Sequence, residues 1–374
     1  MYDYRSDNSI TKKIFSLNKN LILWMVVLFT AGTAMLYSAA GGNFSPWASK
    51  QIIYFIIFFP IMIAIAITDI NFWFKYSYWI YLGTLSLLLI VILAGHTSMG
   101  ATRWIRIGFL SIQPSEVMKL SLVLGLAKYF YTREEEEIYK IRYLISPLII
   151  IALPIFLIIK QPDLGTAVIL GAIGITILFA TGIKLWKFAF CGIAGIASIP
   201  FFWNLLLHDY QKKRILTFLN PSSDPLGAGY NIMQSKIAIG SGGAWGKGFL
   251  NGTQGQLEFL PEKQTDFIFT MLAEEMGFVG SLGIIALYII LIGFAITIGI
   301  KCKHQFGRTI AIGVASIIFF HTFINIGMVI GIVPVVGAPL PFLSYGGTFT
   351  ATIFLCFGFL LNVDLYNKTE ISIK

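Results

Sequence analysis

The sequence predicts an all-α polytopic membrane protein of about ten transmembrane helices, with a large extracytoplasmic loop between helices 7 and 8. Three observations predict it. Hydrophobic residues make up 56% of the 374 residues and charged residues only 12%, whereas a soluble domain carries about 25% charged residues. Apolar runs recur along the chain, and the first, Leu21–Ala40, is 20 residues long, enough to cross a bilayer as a helix. The 27 Lys and Arg, set against 18 Asp and Glu, are distributed unevenly between these runs. Such hydrophobicity excludes disorder, and three cysteines are too few for a disulfide scaffold. A nucleic-acid role needs a basic soluble face, and none is visible.

Residues 1–20 are polar and basic, with Arg5, Lys12, Lys13 and Lys19, and form a cytoplasmic N-terminal segment. The run that follows exceeds the apolar core of a signal peptide and lacks a cleavage site, so it is an uncleaved first span. Further spans are expected at Ile52–Thr68, Tyr76–Ala94, Val117–Phe130, Tyr143–Ile159, Gly165–Ala180, Phe188–Leu207, Phe278–Ile300, Ile310–Val333 and Phe349–Val363. Val117–Phe130 is short and holds Lys119 and Lys128; Phe349–Val363 is also short. Pro60, Pro147, Pro154 and Pro200 fall in or beside spans, where neighbouring helices can satisfy the freed carbonyls. The whole chain, 1–374, forms one membrane domain, with 208–265 as the large outer loop and 364–374 as a cytoplasmic tail.

With the N-terminus inside, inner segments hold sixteen Lys and Arg and the short outer loops four: Lys50, Arg103, Arg106 and Lys160. The long 208–265 segment carries six more, but long loops have little influence on orientation. The bias places both termini in the cytoplasm. Glu134–Glu137 is then a solvated cytoplasmic turn. Cys191, Cys302 and Cys356 are expected as free thiols, and His96, His208, His304 and His321 show no metal-ligand spacing.

Unusual polar residues gather on the outer side, in 96–116, 160–165, 208–277 and 333–347. Glu116 and Lys119 share a helix face just after Pro114. They read either as a buried ion pair or as an anion site with Lys119 aimed at a phosphate. Asp163 is either a helix N-terminal charge or the third member of that cluster. Gly240–Gly248 fails as a phosphate loop, because Ser241 stands where the first Gly belongs and Gly248 follows Lys247; it reads as a flexible turn or membrane-surface loop. In 257–269, Thr265 or Asp266 reads as a plain N-cap. Asp266 also reads as a carboxylate at the mouth of a bundle, placed for base chemistry. Glu274 and Glu275 follow at membrane depth, where charges face the bundle interior.

Four stretches carry a family resemblance: ATRWIRIG (101–108) with QPSEVMKL (113–120), QPDLGTA (161–167), LPEKQTDFIFTMLAEEMGFVG (260–280) and PVVGAPLPFLSYGG (334–347). On these the chain resembles the SEDS family (shape, elongation, division and sporulation). GTQGQLEFLPE (252–262) and PVVGAPLPF favour its rod-shape (RodA) branch over the division-specific one. Gln264 departs from the His that relatives often place before the Thr-Asp pair.

The resemblance implies a ten-helix peptidoglycan glycosyltransferase of the bacterial cytoplasmic membrane. Such an enzyme polymerises lipid II on the outer face, alongside a class B penicillin-binding protein and the elongation machinery. It implies Asp266 as the catalytic carboxylate, the Arg-Trp pair at Arg103 and Trp104, and a charged trio of Glu116, Lys119 and Asp163. Arg103, Arg106 and Lys119 are the available cations, and Glu262, Thr265, Glu274, Glu275 and Ser344 are expected in support. No cofactor is required, although a divalent cation, Mg or Mn, could bridge the phosphates; membrane lipids surround the bundle. The alternatives are a lipid II flippase, which would need charges lining a path across the whole membrane, and a noncatalytic scaffold, which would leave the outer carboxylates without a chemical role.

Overall fold

The computed structural model describes residues 9–94, 96–98, 101–107, 110–133, 140–183, 186–188, 192, 212, 216–220, 224, 227–256, 260 and 262–371. The elements in chain order are helices α1 (Ile10–Phe15), α2 (Lys19–Ala39), α3 (Ala48–Ile67) and α4 (Ile70–Ala94), then strands β1 (His96–Ser98), β2 (Ala101–Ile107) and β3 (Leu110–Ile112). Helices α5 (Pro114–Tyr131), α6 (Ile141–Lys160), α7 (Leu164–Ala180), α8 (Ala228–Gly242), α9 (Thr253–Gln256), α10 (Ile268–Lys301), α11 (Gln305–Ile330) and α12 (Gly347–Leu365) follow. Among the described residues seven helices are long and apolar enough to cross a membrane, and α7 is a shorter apolar helix. The expected span Phe188–Leu207, the Glu134–Glu137 turn, Cys191 and much of 208–227 lie outside the described residues.

Helix α5 explains how a short, charged segment sits in an apolar bundle. It is buried along nearly its whole length, Glu116 and Lys119 included, and α4, α7 and α11 pack around it. Glu116 and Lys119 are thereby kept from lipid, where an unpaired charge is costly. Helices α3 and α12 form the other large contact. There the buried Asn362 amide donates to the carbonyls of Ile65, Ala66 and Thr68 at the end of α3, groups that a helix terminus leaves open. Phe29, Phe55, Phe342 and Phe354 interlock beside it.

Segment 96–116, expected as loop, contains a three-stranded antiparallel sheet in the order β1-β2-β3. Adjacent strand residues point to opposite faces, so β2 separates Arg103 from Trp104.

Helix α10 begins at Ile268, ten residues before the expected Phe278, and runs for 34 residues with a break at Gly277 (φ 66°, ψ −163°). The part after the break, Phe278–Lys301, is itself about 36 Å long at 1.5 Å per residue, enough for the roughly 30 Å of a hydrocarbon core, so the turns before Gly277 are not needed to span it. The Glu pair disguised this start in the hydropathy pattern.

The turn expected at 240–248 is at the surface, with Trp245 exposed. It docks on the break, and four backbone bonds close it: Lys247 N–H to Glu274 O and Gly248 N–H to Glu275 O, both 3.0 Å, Phe278 N–H to Gly243 O at 2.9 Å and Val279 N–H to Ala244 O at 3.1 Å. These satisfy helix groups that the kink frees. A Cβ on Gly277 would lie 2.2 Å from Gly246 N. Gly277→Ala is expected to lower thermal stability in detergent by at least the 1–3 kcal/mol of left-handed strain. Gly283→Ala, where an added Cβ meets nothing within 4 Å, should leave it unchanged.

Candidate functional site

Asp163 is the N-cap of α7. Its carboxylate accepts from Thr166 N–H at 3.4 Å and Thr166 Oγ1–H at 3.0 Å. The N-cap reading therefore holds, and the same carboxylate lies 3.8 Å from the Arg103 guanidinium. Arg103 also donates to the carbonyls of Gln161 and Pro162, which fixes it over the α6–α7 turn. Gln113 donates to Asp163 at 3.3 Å. Trp104 pairs with His96 across β1–β2 and is half-buried. Arg106 pairs with Ser111 in the sheet, and its side chain lies outside the described residues.

Arg103 and Asp163 form the polar end of a groove of about 450 Å³ whose walls are otherwise apolar, among them Val168, Phe320, Phe323 and Val336. The groove runs between α7, α11 and the segment 333–336. Gly165 allows the closest approach there, since a Cβ on it would lie 2.5 Å from Val336 O.

The next residue, Gly337, leads to Asp266: a Cβ at Gly337 would stand 3.3 Å from Asp266 Oδ2. Asp266 lies in the turn 262–267. The N-cap of α10 is Phe267, with no side-chain cap bond, so neither Thr265 nor Asp266 is the N-cap that the sequence suggested. Thr265 Oγ1–H instead donates to Glu262 O and Oε2 at 3.2 and 3.1 Å, which stiffens the turn.

Three consecutive carbonyls of this turn are each claimed from elsewhere in the fold. Tyr345 N–H donates to Gln264 O at 2.8 Å, Ser344 Oγ–H to Thr265 O at 2.6 Å, and Asn325 Nδ2–H to Asp266 O at 2.9 Å. Gln264 thus meets the 334–347 loop through its backbone, a contact its side-chain identity does not affect.

Glu116 and Lys119 form a second, separate pair. Lys119 Nζ lies 2.7 Å from Glu116 Oε2 and 2.6 Å from His321 Nε2, and Lys119 is fully buried. His321 Nδ1–H donates to Pro339 O at 3.0 Å, which leaves Nε2 as the acceptor for the ammonium. The ammonium is engaged inside the bundle by Glu116 and His321, which favours the ion-pair reading of Lys119 over the phosphate one. Nor do Glu116, Lys119 and Asp163 form one cluster; they make two pairs joined through Gln113, whose carbonyl accepts from Glu116 N–H at 3.1 Å.

Glu274 and Glu275 face the interior, both fully buried, but serve the kink rather than Asp266. Glu274 accepts from Lys247 at 2.7 Å, from Thr253 N–H and Oγ1–H at 2.9 Å and from Gln254 N–H at 3.1 Å. Glu275 accepts from Ser38 and from Leu250 N–H.

Gln113, His321 and Asn325 were missed from sequence. His321 and Asn325, four apart on one face of an otherwise apolar helix, were the available signal, since polar residues at membrane depth face the interior. Among the described residues no group of three or more His, Cys, Asp and Glu forms a metal-ligand set.

A family model described as Cell cycle protein, for FtsW, RodA and SpoVE, matches residues 12–369. The peptidoglycan glycosyltransferase MrdB of Escherichia coli K12 is 40% identical over 355 residues, covering 94% of each chain. Stage V sporulation protein E of Bacillus subtilis 168 is 37% identical over 369 residues, covering 96% of this chain and 100% of that one. A solved chain from a peptidoglycan synthase complex, described as structurally coordinating polymerization and crosslinking, superposes with a TM-score of 0.82 at 26% identity, covering 95% of this chain and 99% of that one. The rod shape determining protein RodA of Thermus thermophilus shares the fold, with a TM-score of 0.72 at 24% identity and the same coverage. The stretches that carried the resemblance are the ones that build this site, and the chain belongs to the FtsW/RodA/SpoVE (SEDS) family.

Proposed function

We propose that this chain is a peptidoglycan glycosyltransferase that polymerises lipid II into glycan strands during cell elongation. One observation carries the mechanism: the apolar groove headed by Arg103 and the Asp266 carboxylate share one wall, Val336–Gly337. The apolar walls suit the first isoprene units of the tail, whose pyrophosphate then falls beside Arg103, whose guanidinium can grip phosphate oxygens in pairs.

The acceptor sugar hydroxyl attacks the anomeric carbon of the donor from the face opposite the pyrophosphate, converting an α-linked donor into a β-linked product. The new C–O bond forms as the bond to pyrophosphate breaks. The hydroxyl proton passes to Asp266, and undecaprenyl pyrophosphate leaves with its charge met by Arg103. Pyrophosphate needs no general acid to depart.

The chain works in the bacterial cytoplasmic membrane, with ten spans, both termini cytoplasmic and the site on the outer face. The sixteen-to-four distribution of Lys and Arg supports this orientation. The name of MrdB and the likeness to a synthase complex support a class B penicillin-binding protein as partner. A reporter fused after Lys374 should be active only inside; activity outside would overturn the ten-span arrangement.

The test of function is the purified chain, copurified with its penicillin-binding partner, given lipid II in detergent. Glycan strands should form. Detergent has no two sides, so transport cannot account for them. No strands from a complex whose transpeptidase remains active would reject the assignment.

A further inference from the structure

Asn325, on α11, is fully buried. Its Nδ2 lies 2.9 Å from Asp266 O and 2.7 Å from Ala338 O. Two carbonyls on one side fix the orientation of the amide, because a carboxamide oxygen turned toward them would be repelled. Its Oδ1 has no hydrogen-bond partner among the described residues, so the side chain retains a buried acceptor without compensation.

These donors reach both sides of the site. One carbonyl belongs to Asp266 itself. The other belongs to Ala338, directly after Gly337, the residue that abuts the Asp266 carboxylate. The amide therefore ties the backbone of Asp266 directly to the wall on which its carboxylate rests, while Ser344 Oγ, which accepts from Leu340 N–H and donates to Thr265 O, joins the same two segments alongside. Ser344 and Tyr345 hold the two preceding carbonyls, but neither also holds 337–338. His321, one helical turn earlier, anchors Pro339 and keeps the wall on α11.

We infer that Asn325 is a positioning residue for the transfer reaction, holding Asp266 at its working distance from the groove wall. The inference rests on Asp266 acting as the base. An error of about 1 Å in such a geometry can cost on the order of 10²-fold in rate. Substrate contacts would be untouched, so the loss should fall on turnover and not on the lipid II concentration needed for half-maximal rate.

The experiment compares Asn325→Ala, Asp266→Asn and the double variant, each copurified with the penicillin-binding partner, in strand synthesis across a range of lipid II concentrations. Rates are normalised to folded protein by size-exclusion chromatography. Asn325→Ala should lower kcat about 10- to 100-fold with KM unchanged, and the double variant should be no slower than Asp266→Asn. If Asn325→Ala does not fold, Asn325→Leu, which fills the same volume without donors, replaces it with the same expectation. Unchanged kcat in the folded variant, or a further multiplicative loss in the double variant, would overturn the positioning role while leaving the base intact. Near-normal activity of Asp266→Asn would instead reject the base, and the positioning role with it.

Discussion

Asp266→Asn is expected to lower strand synthesis from lipid II by about 10²–10⁴-fold, the usual contribution of a general base, with fold and partner binding retained. Asn keeps the size of Asp and one acceptor oxygen, and loses the basicity. The anchors of this turn are backbone carbonyls, those of Gln264, Thr265 and Asp266, and a side-chain change leaves them in place. Because Phe267 is the N-cap and makes no side-chain cap bond, no capping interaction is lost either. The measurement is polymerisation by the purified variant, with thermal stability followed in parallel. Near-normal activity would reject the base, and a large fall in stability would contradict the backbone anchoring.

Lys119→Ala is expected to produce the largest loss of stability. It leaves Glu116 buried without its cation and His321 without its donor. Removing one partner of a buried ion pair costs about 3–5 kcal/mol. The pair as a whole contributes far less, since desolvation offsets most of its attraction. Lys119→Met combined with Glu116→Gln should therefore recover most of the loss in a thermal melt in detergent. A single variant as stable as the parent would show that the ion pair does not hold α5 in place. Recovery by Lys119→Met alone, which restores the volume but not the charge, would assign the effect to packing.

Much of this architecture was legible in hydropathy alone. Helices α2, α3, α4, α6, α7, α11 and α12 cover the expected spans to within a few residues, because a bilayer imposes length and apolarity on whatever crosses it. Helix α5 was legible only as a weak span, since its buried charges are matched by tertiary partners that the local sequence does not name. The early start of α10 was hidden for the same reason: Glu274 and Glu275 break the apolar run, and the groups in 247–254 that receive them are not local. The strands were missed because Gly and polar residues dominate 96–116, and the pairing of β2 is set by its neighbours. Within the site, Asp266, Arg103 and Asp163 stood out as charges in an apolar chain. The contact between 262–267 and 334–346 could not be read, because it runs almost wholly through backbone carbonyls, which every sequence has.

That contact governs when in the life of the chain activity can begin. Ser344 reaches Thr265 across 79 residues, and Tyr345, Asn325 and Gly337 all follow Asp266 in the order of synthesis. A nascent chain that has inserted α10 already carries its carboxylate, yet lacks every group that orients it. Such long-range closure comes late in folding, because loop entropy must be paid before the contact forms. The contact with the turn 262–267 can therefore close only in a chain translated through Tyr345.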